Sequence, residues 1–444
     1  MKKIELSSVY IEGNTIHYQI REDAGLGLLQ HEVVDLFIQY HGCETVDFKL
    51  DNIPNSILIL PISLYLLPTT FFYDVELVLP EMDKVLYDRL PLIYEAYSKV
   101  YGPFKKEWKG SVSVRKVVDN KPVEKTTYEK VVFFSGGVDA CHAGINNPGR
   151  KTLLVSIPDI ESMAKNNGPL REEKFTLIRR FSEVVKSDWF LISNNFNQGL
   201  YKDQEIKRYL TNDIGLCSMA YKFDGWAGIK YMANMCCVAP LAYKFGVKSL
   251  IMGSSYEQIE DKIQLNYDGA NPDITNAIGF VDISFSEQDG FLTRRSQKVK
   301  NIIEWCRPYG IKSKLWACFS DSSTQCGFCP KCIRTQMNIL CAGENPKEWG
   351  FDNFDIKKYE KFVKAYRYRE SNPCWLWDII DAIESDKTYP YCNELLHWLK
   401  SIGYKEYISR AEEKANPTGL KRLVSFNQYP LYIKILFSKL FNRK

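Results

Sequence analysis

The chain lacks a strong charge of one sign, an internal repeat and any low-complexity tract. Its 58 basic and 54 acidic residues leave a net charge of +4, and the two signs are mixed along the chain. That balance argues against nucleic acid as a partner. The opening stretch MKKIELSSVYIEGN has no apolar run followed by a small-residue cleavage site, so a cytoplasmic protein without a secretory signal is expected. Only one segment, residues 53–73, is long and uncharged enough to prompt a membrane test. It carries Pro54, Pro61 and Pro68, which would break a single spanning helix. The expectation there is a buried strand, a turn and a second apolar element, with no membrane contact. No Ser-His-Asp or Cys-His constellation stands out, and His142 reads as structural.

What is present is an ordinary globular composition, 45% hydrophobic and 25% charged over 444 residues, enough for two or three domains. Aromatics reach 14%, which favours extensive cores or interfaces. Residues 1–125 alternate short apolar runs (SVYIEG, TIHYQI, SILILP) with turns, followed by the helical pattern MDKVLYDRLPLIYEAYSKVY. They predict a small N-terminal α/β domain, ending in a charged stretch that reads as a hairpin or linker.

Residues 126–345 repeat strand and helix. Apolar runs at VVFF, TLLVSI, WFLIS, SLIMG and KLWACF alternate with helical stretches such as EKFTLIRRFSEVVK and WAGIKYMANMCCVAPLAYKFG. Near-continuous apolar strands separated by helices predict a Rossmann-like parallel sheet covered on both faces. Residues 346–444 read as a helical C-terminal region, closing on the basic amphipathic stretch LYIKILFSKLFNRK, expected to dock as a terminal helix.

The stretch VVFFSGGVDACH ends a buried strand on Ser135, Gly136 and Gly137. A strand that stops on S-G-G and then begins a helix presents free backbone N–H groups where the helix dipole favours negative charge. The expected guest is a phosphate. The loop has neither the Lys-Ser/Thr of a Walker A motif nor the G-x-G-x-x-G of a dinucleotide fold. SGGVDA resembles the S-G-G-x-D-S pyrophosphate loop of the PP-loop ATP pyrophosphatases, which have a HUP-type sheet. That resemblance implies ATP with Mg²⁺, held by Ser135, Gly136, Gly137, Val138 and Asp139, with Ser135 and Asp139 counted as catalytic. Ala140 departs from the pattern, since the family usually carries a second serine there.

Thirteen cysteines occur, nine of them scattered and most of those read as small buried hydrophobes. The other four, Cys318, Cys326, Cys329 and Cys332, form C-x7-C-x2-C-x2-C, whose short spacings suit tetrahedral Zn²⁺. A closed four-cysteine site leaves no open coordination position, so the zinc is expected to be structural. A zinc ribbon on nucleic acid is the competing reading, but only Lys331 and Arg334 are basic nearby.

Together the two motifs resemble the 7-cyano-7-deazaguanine synthase (QueC) family over about residues 128–342, with the zinc cysteines as an insertion in the sheet domain. Asn271-Pro272-Asp273 occupies the place of that family's Y-P-D segment, and Thr293-Arg294 the place of its Thr-Lys. The resemblance implies that Asp273 is catalytic and that Arg294 binds phosphate. That family adenylates the carboxylate of 7-carboxy-7-deazaguanine, forms an amide with ammonia and dehydrates it to the nitrile. This chain is much longer, and LLVSIPDIES lacks the family's Asp-Tyr-Gly pattern.

The layout is most similar to the long QueC-like proteins of bacterial antiphage operons (Qat and type IV CBASS). There the base is joined by an amide to the N-terminus of a partner protein. The expectation is an AMP-forming ligase acting on a 7-deazaguanine substrate and a partner-protein amine, with the N-terminal domain binding that partner. The alternatives are a nitrile-forming synthase, an RNA-modifying PP-loop enzyme and a binding module that has lost turnover.

Overall fold

The computed structural model describes residues 1–43, 45–101, 108, 110–157, 169–196, 200, 202, 235–254, 257–264, 271–285, 289–310, 312, 314–318, 324–370 and 372–415. The chain begins with β1 (Lys2–Glu12), β2 (Thr15–Glu22), β3 (Val33–Tyr40), α1 (Asn55–Leu58), α2 (Leu60–Phe72), β4 (Val75–Asp83), α3 (Lys84–Tyr101) and β5 (Ser111–Val118). A βα succession follows: β6 (Lys130–Phe133), α4 (Val138–Asn146), β7 (Thr152–Ser156), α5 (Pro169–Val185), β8 (Asp188–Asn194), α6 (Ala239–Lys244) and β9 (Ser249–Ile251). Short elements come next, β10 (Glu257–Ile259), β11 (Lys262–Gln264), α7 (Pro272–Ala277), β12 (Gly279–Phe280) and β13 (Ile283–Phe285). The remainder is helical: α8 (Arg295–Cys306), α9 (Pro330–Cys341), α10 (Ile356–Lys364), α11 (Pro373–Ala382) and α12 (Asn393–Ala415).

Eleven strands share one mixed sheet, in the order β12-β13-β9-β6-β7-β8-β3-β2-β1-β4-β5. Strands β13, β9, β6, β7 and β8 run parallel. Strand β3 pairs antiparallel with β8, and β2 and β1 continue antiparallel. Strands β4 and β5 then add in parallel to β1. The N-terminal strands therefore extend the sheet of the βα region through the β3–β8 seam.

Neighbouring residues of the parallel strands point to opposite faces. Val131 and Leu153 join a core with α2, α3 and the N-terminal strands, while Val132 and Leu154 join a second core with α4, α8 and α9. Burial on both faces is what made VVFF and TLLVSI read as unbroken apolar runs. The C-terminal helices belong to the second core: the Tyr359 hydroxyl donates to the Ile333 carbonyl at 3.0 Å and the Tyr407 hydroxyl to the Val363 carbonyl at 3.0 Å. Helix α12 turns sharply at Gly403, whose φ of 76° lies in the left-handed region, so it is two helical stretches meeting at the glycine.

Three expectations are corrected. Residues 53–73 are not a strand and a turn but the helical pair α1 and α2. Pro61 sits in the first turn of α2, where its missing N–H leaves no bond unmade, and Pro68 lies inside the helix. Ile57, Ile59, Ile62, Tyr65 and Leu66 are wholly buried, and a helix buried all round shows no amphipathic period. Over residues 314–318, the described part of KLWACF, there is no strand. The backbone there instead bonds to loops, Leu315 N–H to the Trp349 carbonyl and Trp316 N–H to the Gly136 carbonyl. The charged stretch after α3 is neither hairpin nor linker over residues 111–118, because these form β5 at the sheet edge. No helix among the described residues is long and apolar enough to cross a membrane. The stretch LYIKILFSKLFNRK lies outside the described residues, as do residues 226–234 of WAGIKYMANMCCVAPLAYKFG.

Candidate functional site

Strand β6 delivers the chain into the Ser-Gly-Gly turn. Phe134 is anchored from both sides, its N–H donating to the Val155 carbonyl at 2.8 Å and its ring stacking on Phe181 with centroids 4.6 Å apart. Ser135 is then exposed. Gly136 adopts φ +79°, and a Cβ there would collide with Leu177 Cδ2 and lie 3.2 Å from Trp316 Cβ. Only glycine suits both the conformation and the space. Gly137 caps α4 without a side-chain cap, so the first amides of that helix face outward with their dipole.

The turn opens into a cleft of about 460 Å³ at the carboxyl ends of the parallel strands. Strand β7 lies on one side of β6 and β9 on the other, which makes the β6–β9 gap a switch point of the open sheet, the usual place for a ligand. Val155 at the end of β7 and Ile157 just after it, with Met252 and Gly253 after β9, form two walls. Trp316, Ala317, Cys318, Arg295 and Lys331 close the rest. Gly253 is packed so tightly that a Cβ would strike the Asp139 carbonyl.

Positive charge gathers beneath the turn. Asp139 Oδ2 accepts from Arg295 Nη1 at 2.8 Å, and Asp139 Oδ1 accepts from Lys298 Nζ at 2.8 Å. Lys298, which also donates to the Ser254 carbonyl, is 0% exposed. Burial pushes the Arg295, Lys298 and Lys331 cations below their ordinary values. Asp139 opposes that at all three, and neighbouring arginines add to it: Arg334 at Arg295, Arg295 at Lys298, and both at Lys331. Arg334 is held 3.3 Å from Glu370 and 4.4 Å from the centre of the Trp375 ring. Asp289 also acts on Lys298 and Asp378 on Arg295, but the cations that reach the cleft lining are Arg295 and Lys331, which favour an anion there.

Ser135, Gly137, Val138 and Asp139 all line the cleft, with Gly136 forming the turn behind them. Arg294 does not line it. Its guanidinium pairs with Asp381, lies 3.8 Å from Asp378 and sits 5.5 Å from the Trp377 ring centre. Asp273 is likewise elsewhere, on α7, paired with Lys99 at 2.9 Å. His142 is buried against Asp289 at 3.0 Å, a packing role.

Sequence reasoning missed Arg295, Lys298 and Trp316, and took Lys331 only as part of a sparse basic background. The first two lie three apart at the start of a helix, on one face. That spacing was available as a signal.

The four cysteines come together. One sulfur from each of Cys318, Cys326, Cys329 and Cys332 lies within 4.8 Å of the others. A tetrahedral Zn–S distance of about 2.3 Å implies sulfurs about 3.8 Å apart, and the Cys326–Cys332 separation is 3.9 Å. Backbone amides of Cys326, Cys329 and Cys332 point at the sulfurs of Cys318, Cys326 and Cys329 at 3.3–3.4 Å, an arrangement that stabilises thiolates. The donor set can hold a metal ion. Cys318 also lines the cleft, so the two sites share a wall.

No family model, no curated protein and no solved structure matches this chain.

Proposed function

We propose that the chain is an ATP-dependent, AMP-forming ligase. It activates the carboxylate of 7-carboxy-7-deazaguanine and joins it by an amide bond to an amine, that of a partner protein's N-terminus in antiphage defence. The observation that carries this reading is the Ser135–Gly137 turn, which lies at the switch point of the sheet, at the N-terminus of α4, and opens into a cleft bordered by Arg295 and Lys331. A carboxylate is a poor electrophile, and transfer of AMP to it makes its oxygen a good leaving group. The protein's share is then positioning, and charge stabilisation of the departing pyrophosphate. Asp139 orients Arg295 and Lys298, and the turn amides with Ser135 receive the anion. Mg²⁺ would accompany the triphosphate.

We assign Zn²⁺ to Cys318, Cys326, Cys329 and Cys332, in a structural role, because four thiolates leave no open position. The five strands that extend the sheet beyond β8 favour a macromolecular amine over free ammonia.

The test is a mass-resolved assay with ATP, Mg²⁺, 7-carboxy-7-deazaguanine and ammonium. AMP and pyrophosphate formed only when the base is present, with the product halting at adenylate or amide, would support the ligase. Conversion to the cyano base would mean a nitrile-forming synthase instead. ATP left unconsumed would sink both.

A further inference from the structure

We propose that Lys331, on the metal-binding turn between Cys329 and Cys332, is a ligand for the anion received by the Ser135–Gly137 turn, and that metal occupancy sets the cleft's affinity for it. This rests on the reading above only in taking the guest of the cleft to be an anion. Lys331 lines the same cleft as Ser135, Gly137 and Arg295. Ala140 offers no side-chain donor, so a second cation lining the cleft beside Arg295 complements the turn amides.

The position of that wall depends on the cysteines. Trp316 N–H donates to the Gly136 carbonyl at 2.7 Å, and two residues later Cys318 enters the cluster. Cys329 caps α9, its sulfur accepting from Cys332 N–H at 3.4 Å, and Lys331 stands between these two ligands. A metal bound to all four sulfurs therefore ties the segment docked on the anion turn to the segment that carries the lysine. Without it, the Gln325 side chain still holds the backbone of Leu315, Ala317 and Cys318, but the direct tie from Cys318 to Cys329 and Cys332, on either side of the lysine, is lost.

Magnesium pyrophosphate is the probe, titrated calorimetrically into the full-length, metal-loaded protein. Metal content is measured on every variant. Lys331→Met, which keeps the methylene stem, should weaken binding about tenfold or more at unchanged metal content, the scale of one charge-assisted hydrogen bond. Lys331→Arg should recover most of it. Chelating the metal should weaken the wild type about as much, and the Met variant little further. If Met loses metal, Lys331→Gln is read in its place.

Equal affinity in the wild type and the fully metallated Met or Gln variant overturns the role of Lys331 and leaves the ligase reading standing. Equal weakening of wild type and variant on chelation overturns the coupling. Failure of the wild type to bind pyrophosphate overturns the anion cleft itself.

Discussion

The Asp139 carboxylate and the Lys298 ammonium lie 2.8 Å apart across 159 residues of chain, and the ammonium is 0% exposed. This pair fastens the start of α4 to α8 and keeps a buried charge compensated. Asp139→Ala would leave Lys298 buried with its carboxylate gone, an arrangement that typically costs about 3–5 kcal/mol. Chemical denaturation should show a loss of that order, and combining the change with Lys298→Met should recover part of it. A loss below about 1 kcal/mol, the range of an exposed pair, would mean that the ammonium finds water.

The two glycines of the turn should respond differently. Gly136→Ala forces a side chain into Leu177 at a left-handed φ, so a stability loss of about 1–3 kcal/mol is expected. A Cβ on Gly137 would meet Ser135 Oγ at 3.4 Å and the Trp316 carbonyl at 3.7 Å, which are ordinary contacts. Gly137→Ala should melt like the wild type yet bind pyrophosphate more weakly, because the methyl stands at the cleft. Thermal melts paired with titration separate these effects, and identical behaviour of the two variants would refute the distinction.

Adjacent arginines provide a test of register. Arg295 lines the cleft, while Arg294 is paired with Asp381 on α11. Arg295→Gln should therefore reduce ATP-dependent AMP formation by about tenfold or more, as expected for loss of a charged donor, and Arg294→Gln should leave it within about twofold. The reverse order in a side-by-side rate assay would relocate the phosphate site.

Asp378 carries a pH signature. It accepts from Ser296 N–H at 2.9 Å and from the Ser296 hydroxyl at 2.7 Å. Burial nevertheless lifts its carboxyl above the usual value of 3.8, outweighing those bonds and Arg294. The folded state therefore holds this proton more tightly than the unfolded chain does. The group's contribution to stability is greatest below 3.8 and is lost as pH rises through the folded value. The stability of the wild type relative to Asp378→Asn should fall as pH is raised from that point towards neutrality, with titration of the cysteines cancelling between the two proteins. A difference that stays flat would show that the carboxyl titrates at its ordinary value.

The parallel strands were legible because burial on both faces leaves an unbroken apolar run, as at Val131–Val132 and Leu153–Leu154. The four-cysteine cluster was legible because ligand spacing is local. Helix α2 was not, since burial all round erases the period that separates helix from strand. Strand β5 was obscured by Arg115 and Lys116, which suit a solvent-facing edge: Arg115 pairs with Glu5 at 2.7 Å and Lys116 with Glu81 at 3.7 Å. The choice between Arg294 and Arg295 depends on which way the first turn of α8 faces, a fact set by Asp139 and Asp378 far away in sequence. No short motif contains it.

The β3–β8 seam has one more consequence. Ile38, Gln39 and Tyr40 pair with Asn194, Ser193 and Ile192, and they cover the hydrogen-bonding rim of a strand whose Phe190 and Ile192 are fully buried. Cutting away the N-terminal strands would strip β8 of its neighbour and leave an apolar, flat template for self-association. A truncated protein that loses activity would then be reporting polymerisation, and the proposed role of those strands in acceptor recognition has to be probed by point changes on their outer surface.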